Sequence, residues 1–346
     1  MSTPARKTWE QAGLGLFFAL GGLVLLVAIA AGTGIGEMPI PIETTFAAVT
    51  NRLGWTAIDL PPIQESVIWD YRLSRALVAA CCGAGLAICG AVLQALLRNP
   101  LAEPYVLGIS AGASTGAVGI IVLGVGAGTI SLSAGAFAGA FAAFTFVAML
   151  SNGGRGGPSK TILAGVAASQ LFNALTSYIV TTSGNAQQAR DVMFWLLGSF
   201  GGVRWPEFQL VLVVVAVGLL VCLYYARALD AFAFGDDAAA SLGIPVGTVR
   251  LVLLGITAMM TATIVSMVGS IGFVGLVVPH AARFIVGHNH ARLLPTCVVA
   301  GGIFMVLADI VSRVILPQQI LPIGVVTALV GVPAFSIILY RAKGAA

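Results

Sequence analysis

Charged side chains are scarce in this chain: Asp, Glu, Lys and Arg together make up 9% of 346 residues. Hydrophobic residues reach 58%, and the mean hydropathy is +1.01, which is more apolar surface than a soluble domain can bury. The Lys and Arg residues are dispersed and form no basic run, which argues against nucleic-acid binding. The few carboxylates also leave little material for a proton- or sodium-coupled carrier.

Cysteine and histidine are equally sparse and form no recognisable site. The five cysteines are Cys81, Cys82, Cys89, Cys222 and Cys297. All lie in apolar stretches without a C-x-x-C pair, so we expect small core residues, with neither a disulfide framework nor a metal site. His280, His288 and His290 lack a neighbouring Cys or carboxylate in sequence, and we expect structural or gating roles for them.

Apolar stretches of about twenty residues are present instead, one after another, from residue 11 to residue 341. A bilayer core about 30 Å thick takes ~20 helical residues per crossing. Residues 210–223 are apolar on every face, unlike barrel strands, so the spanning elements are expected to be helices. We predict an all-α polytopic membrane protein that forms one transmembrane domain, residues 1–346. Ten crossings are expected near 12–34, 73–97, 106–124, 131–150, 161–183, 206–226, 249–268, 273–288, 294–314 and 323–341.

The distribution of positive charge predicts the orientation. An even number of crossings puts both termini on one side, and cytoplasmic loops carry the excess of Lys and Arg. With cytoplasmic termini, eleven Lys and Arg residues fall on the cytoplasmic side and six on the outer side. The outer six are Arg52, Arg72, Arg75, Arg190, Arg204 and Arg313.

Three connections between crossings are more than turns, and the first, residues 35–71, is an outer segment of mixed polarity. Residues 227–248 form a cytoplasmic loop with two short helical pieces, broken at Gly235 and Gly243. Its apolar face needs a partner. Residues 187–200 are polar and then apolar but too short to span, so an outer or re-entrant helix is predicted there.

Two motifs resemble enzyme or nucleotide sites but have simpler explanations. Residues 108–116 fit the G-x-S-x-G pattern twice, which would let Ser114 pair with His280 in an intramembrane serine protease. Small residues on a packing face are the favoured explanation of the pattern in a Gly-rich chain. Residues 153–161 imitate a phosphate-binding loop, but Ser159 replaces its second glycine and no strand precedes it. If transport uses ATP, another chain has to bind it.

Three outer arginines call for an explanation, because positive charge is disfavoured on that side. Arg72 and Arg75 are three residues apart and share one helix face. Together with Arg313 they can anchor lipid headgroups, or they can receive carboxylates of an acidic partner. Asp309 lies inside a crossing four residues before Arg313, and a buried pair between the two is predicted.

Six stretches in fixed order carry a resemblance that covers nearly the whole chain. They are RLSRALVAACCGAGLAICGAVLQALLRNPLAEPYVLGISAGAS (72–114), ILAGVAASQLFNAL (162–175), FWLLGSFGGVRW (194–205), FGDDAAASLGIP (234–245), GSIGFVGLVVPHAAR (269–283) and LADIVSRVILPQQILPIGVVTALVGVPAF (307–335). On these stretches the chain resembles the permease subunit of the ABC importers that take up iron chelates and cobalamin. The resemblance implies the type II ABC importer permease fold, with about ten helices and no enzymatic activity in this chain.

The same resemblance implies the partners. We expect a homodimer in the bacterial inner membrane, two ABC ATPase subunits on its cytoplasmic side and a periplasmic binding protein on its outer side. ATP and Mg would belong to the ATPase, and this chain would hold no cofactor. Haem is the expected cargo, moved by alternating access, with cobalamin or a ferric siderophore as alternatives.

The resemblance also implies roles for individual residues. Arg72, Arg75 and Arg313 would receive glutamates of the binding protein. The contact with the ATPase would be made by Asp236, Asp237, Ala240, Leu242 and Gly243. The cytoplasmic gate would consist of Asn99, Leu101, Pro158 and Ser159, although the Gly-rich sequence before Pro158 departs from the family pattern.

Overall fold

The computed structural model describes residues 4–36, 38–124, 130–151, 156–182, 186–316 and 319–343. Within these ranges the chain is helical and contains no β-strand, which confirms the all-α prediction. The α-helices are α1 (Pro4–Gly34), α2 (Ile42–Arg52), α3 (Pro62–Ser66), α4 (Ser74–Leu96), α5 (Ile109–Leu123), α6 (Leu132–Leu150), α7 (Gly157–Thr182), α8 (Ala186–Leu196), α9 (Trp205–Tyr224), α10 (Ala226–Phe232), α11 (Asp236–Ser241), α12 (Val246–Val268), α13 (Val274–Val286), α14 (His290–Val314) and α15 (Ile323–Lys343). A π-helix (Val67–Leu73) joins α3 to α4, and a 3₁₀-helix (Pro104–Leu107) precedes α5.

The described ranges contain seven helical spans long and apolar enough to cross a membrane. Six of them are α1, α6, α7, α9, α12 and α14, and the seventh is the continuous helix Pro62–Leu96, which includes α4. Three shorter apolar helical stretches, α5, α13 and Ile323–Ile337 of α15, bring the number to the ten predicted. With 13 residues, α13 is only ~20 Å long and covers part of a bilayer.

Helix α4 lies at the centre of the bundle, almost wholly buried, and packs against α9, α12, α13 and α14. Small residues make these contacts close. A Cβ atom on Gly90 would lie 1.8 Å from the carbonyl oxygen of Gly275, and one on Gly83 would lie 2.1 Å from that of Gly301. Because lipid is as apolar as the side chains, membrane helices associate through such close packing.

Three breaks between helices meet inside the bundle: one before α5, one after α8 and one before α13. The Tyr105 hydroxyl donates to the carbonyl oxygen of Ile271 (2.8 Å) and accepts from the N–H of Ile271 (2.7 Å). The N–H of Ser199, beyond α8 in the segment predicted as a re-entrant helix, donates to the carbonyl oxygen of Val268 at 2.8 Å. In hydrocarbon each backbone polar group has to be paired within the protein. Backbone groups that are unpaired at one break form hydrogen bonds with residues at another.

Replacing Gly90 with alanine is expected to destabilise the protein by about 1–3 kcal/mol or more, because the new methyl group overlaps the backbone of Gly275. Thermal unfolding of the purified protein in detergent measures the effect. Gly255→Ala on α12 is the matched control, since a Cβ atom there meets nothing within 4 Å. Equal melting temperatures for the two variants would contradict the close α4–α13 contact.

Candidate functional site

The three arginines predicted to dock a partner lie together at one end of the bundle, which we call the arginine end. Arg72 lies on the π-helix, Arg75 in the first turn of α4 and Arg313 in the last turn of α14. Asp309, 1% exposed, joins two of them: Arg75 Nη2 lies 2.8 Å from its Oδ1, and Arg313 Nη2 lies 3.1 Å from its Oδ2. The predicted Asp309–Arg313 pair is confirmed, and Arg75 is a second partner that the sequence did not indicate.

Arg72 and Arg313 also hold the end of α1. Arg72 Nη1 donates to the carbonyl oxygen of Gly34 at 3.0 Å, and Arg313 Nη1 donates to that of Ile35 at 2.7 Å. The last carbonyls of a helix have no partner within the helix, and basic side chains stabilise them. Each of the two arginines is only 6% exposed, so both have a packing role that the docking prediction did not include.

A cavity of about 240 Å³ opens at the arginine end, and a fourth arginine, Arg204, joins its wall. The Arg204 guanidinium carbon lies over the ring of Tyr71, 3.7 Å from the ring centroid. The sequence predicted an outer position for Arg204 but no role. No local spacing connects it with the π-helix, so only the tertiary structure reveals the contact.

Three acidic residues mark the opposite end of the bundle, the aspartate end: Asp230 on α10, and Asp236 and Asp237 on α11. Asp236 Oδ1 pairs with Arg250 Nη2 of α12 at 2.7 Å, and Arg250 is 2% exposed. Asp230 Oδ1 accepts from the N–H of His290 (2.9 Å) and lies 2.6 Å from its Nδ1, at the start of α14. Charged contacts therefore tie this segment to α12 and to α14.

The other side of the same segment is open. Phe234 is 83% exposed and Leu242 is 73% exposed, and Asp237 and Ala240 are exposed beside them. Gly243 closes the segment with a φ of +79°. Of the five residues predicted to contact an ATPase, Asp236 therefore points to the bundle, whereas Asp237, Ala240 and Leu242 are available to a partner.

The predicted gate residues lie beside this segment. Pro158 and Ser159, in the first turn of α7, wall a cavity of about 480 Å³ together with Asp236 and Asp237. The loop after α4 is closed by the Asn99 side chain, whose Oδ1 accepts from the N–H of Leu101 at 2.9 Å. Leu101 is 48% exposed. The preceding residues 152–155, part of the loop that imitates a phosphate site, lie outside the described ranges.

Helix α7 carries a polar stripe that faces away from the rest of the chain. Gln170, Asn173, Ser177 and Thr181 are exposed and succeed one another three or four residues apart, on one helix face. The amides of Gln170 and Asn173 bond to no other described residue. Uncompensated amides in hydrocarbon are costly, so the stripe has to meet water or another chain. The stripe was not predicted from the sequence, although its three- and four-residue spacing is visible there.

The structure does not assemble the protease pair. The Ser114 hydroxyl donates to the carbonyl oxygen of Ser110, one turn earlier, at 2.9 Å. His280 lies in a different place, against Phe335 and in the wall of a cavity that does not include Ser114. Among the residues that the structure describes, no three His, Cys, Asp or Glu side chains are grouped to hold a metal ion.

Ten apolar crossings with a charged segment exposed at one end are typical of the membrane-spanning subunit of an ABC importer. The chain belongs to the FecCD transport family, whose sequence model matches residues 23–341. Permeases of this class translocate the cargo and work with separate ATPase and binding-protein partners.

Two curated relatives and one solved structure illustrate the membership. The chain is 36% identical to the cobalamin import system permease of Halobacterium salinarum, over 93% of this chain and 95% of the relative. It is 40% identical to the vitamin B12 import system permease of Escherichia coli, over 82% and 86%. A metal-chelate type ABC transporter in an inward-facing conformation superposes with a TM-score of 0.82 at 30% identity, over 94% of this chain and 99% of that one. The predicted type II importer permease fold is confirmed.

Asp236→Asn is expected to destabilise the protein by about 1–3 kcal/mol, because it removes the charged hydrogen bond between a partly exposed carboxylate and the buried Arg250 guanidinium. Thermal unfolding of the purified protein is the measurement. Asp237→Asn, one residue away and exposed, is the matched control and is expected to change the midpoint little. A normal midpoint for Asp236→Asn would show that the Arg250 contact does not hold α11.

Proposed function

We propose that two copies of this chain enclose a transport pathway, with the polar stripe of α7 in each copy facing the other. The stripe is the observation that carries the proposal, because Gln170 and Asn173 are exposed on a spanning helix without partners in the described chain. Two facing stripes would surround a water-filled path with amides and hydroxyls. A two-fold homodimer is also the commonest arrangement of identical subunits.

The proposed orientation puts the arginine end in the periplasm and the aspartate end in the cytoplasm of a bacterial inner membrane. Both termini are then cytoplasmic. The distribution of eleven Lys and Arg residues against six supports this orientation.

In this proposal the energy comes from two ABC ATPase subunits, which bind ATP and Mg, and this chain is not an enzyme. Their seat is the open side of α10 and α11, where Phe234 and Leu242 leave an apolar surface uncovered. Exposed Asp237 and Ala240 contribute the rest of the contact.

The proposed mechanism follows from the contacts between α10, α11 and the rest of the bundle. Movement of the ATPases displaces α11, and the Asp236–Arg250 and Asp230–His290 contacts transmit the displacement to α12 and α14. Ser159 walls the same cavity as Asp236, so the start of α7 responds to the same movement. The cytoplasmic gate of Asn99, Leu101, Pro158 and Ser159 then opens or closes while a binding protein docks at the arginine end.

The first cargo to test is cobalamin, because the two relatives are cobalamin and vitamin B12 permeases. Haem, which the sequence led us to expect, and ferric siderophores are its competitors. The stripe offers neutral amides and hydroxyls without a charged group. Such a lining favours passage of a large chelate over tight binding, which leaves selectivity to the binding protein.

Proteoliposomes that contain the complete complex are expected to accumulate cobalamin only with ATP and the loaded binding protein. Haem and a ferric siderophore are tested in parallel as cargo controls. Preferential uptake of haem would make haem the cargo and leave the rest of the mechanism unchanged. ATP hydrolysis or uptake by this chain alone would contradict the division of labour.

The pathway assignment predicts that Asn173→Cys reacts with a membrane-impermeant thiol reagent in the assembled complex, because thiolates form in water and not in lipid. Val213→Cys on α9 is the control: Val213 is 60% exposed, on an apolar helix that faces lipid in the proposed dimer. Background labelling is low because four native cysteines are buried and Cys81 is half-buried. Equal reactivity at the two positions would refute the pathway.

A further inference from the structure

We infer that Arg204, held over the ring of Tyr71, is a docking cation for an acidic side chain of the periplasmic binding protein. The inference rests on the proposed function, since it requires a binding protein at the arginine end. The resemblance assigns docking to Arg72, Arg75 and Arg313. The geometry adds Arg204 as a fourth docking residue and makes it the main one.

The three arginines assigned by resemblance are largely committed within the chain. Arg72 and Arg313 are 6% exposed and donate to backbone carbonyl oxygens at the end of α1. Arg75 directs both its Nε and its Nη2 to Asp309 Oδ1, at 2.9 and 2.8 Å. A visiting carboxylate would have to compete with these contacts.

Arg204 retains donors that the chain does not use. Its Nη1 donates to the carbonyl oxygens of Gly201 (3.2 Å) and Val203 (2.6 Å), whereas its Nε and Nη2 bond to no atom of the described residues. Glu207 accepts from the backbone N–H of Arg204 at 2.9 Å and forms no ion pair with its guanidinium. The guanidinium therefore keeps a free edge and forms no ion pair with a described carboxylate.

Tyr71 holds this guanidinium in place before a partner arrives. The cation lies 3.7 Å from the ring centroid, within the range of a cation–π contact. The rings of Trp69 and Trp205, 4.8 Å apart, pack the π-helix against the start of α9 and so fix Tyr71 and Arg204 relative to each other. A fixed cation loses little conformational entropy on binding, and π-helical turns are frequent at functional sites.

The cavity beside Arg204 suits a protein carboxylate better than a cargo or a lipid. At about 240 Å³ it is smaller than the 300–1,000 Å³ pockets that hold drug-sized ligands, so it fits a side chain and not a tetrapyrrole. Its wall comes from helix ends and connecting segments, so it opens at the end of the bundle and not on the lipid-facing side. The described wall contains four arginines and no carboxylate, which is complementary to Glu or Asp.

The test measures the affinity of the binding protein for the complete complex in nanodiscs. Arg204→Ala is expected to weaken docking about tenfold or more and to reduce its salt dependence. Arg204→Lys should restore only part of the affinity, because an ammonium lacks the planar fork. Tyr71→Phe should dock normally because the ring face remains, whereas Tyr71→Ala should lose affinity severalfold. Arg190→Ala on α8 removes an exposed charge away from the cavity and should change docking less than twofold.

The outcomes separate this inference from the proposed function. If the unmodified complex does not bind the binding protein, the proposed function fails. Normal docking by Arg204→Ala, while Arg75→Glu loses affinity, would overturn the role of Arg204 and leave the proposed function intact. An Arg204→Ala complex that docks normally but loses bound anionic lipid would make Arg204 a lipid anchor. If Arg204→Ala weakens docking of the cargo-loaded binding protein but not of the empty one, Arg204 contacts the cargo, and the inference is also overturned.

Discussion

The requirement that every backbone polar group be paired inside a bilayer shapes the interior of this protein. Three breaks between helices lie within the bundle. Each is tolerated because residues at another break supply hydrogen-bond partners for its backbone groups. Tyr105 alone satisfies both the N–H and the carbonyl of Ile271. The breaks determine where the short helices α5 and α13 begin, and the start of α13 places Gly275 against Gly90 of the central helix. A change in the way the breaks pair would therefore alter the packing around α4.

Helix α14 has charged contacts at both ends of the bundle. Its first residue, His290, contacts Asp230 of α10, and its last turn carries Arg313 beside Asp309. Its middle packs closely on α4 through Gly301 and Gly83. The helix therefore connects the contact with α10 at one end to the arginine cluster at the other.

Local periodicity was enough to predict the crossings and the Asp309–Arg313 pair, because twenty-residue apolar stretches and a four-residue spacing are visible in one segment of sequence. It could not predict Arg75 as the second partner of Asp309 or Tyr71 as the support of Arg204. Those contacts join residues far apart in the chain and depend on a π-helix that no propensity indicates. The stripe on α7 was readable at helical spacing, but its exposure became evident only from the packing.

Four arginines wall the cavity at the arginine end, and one buried carboxylate, Asp309, joins two of them. Asp309 neutralises one charge and is shared by Arg75 and Arg313. Arg72 and Arg313 are also stabilised by carbonyl oxygens at the C-terminal end of α1. The partial negative charge at a helix C-terminus favours cations but cancels only a fraction of a unit charge. The described wall of the cavity, which includes Arg204, therefore contains more positive charge than Asp309 and these carbonyl oxygens neutralise. Clustered guanidinium groups favour a carboxylate at short range through charge-assisted hydrogen bonds, and the buried contacts hold the arginines in place.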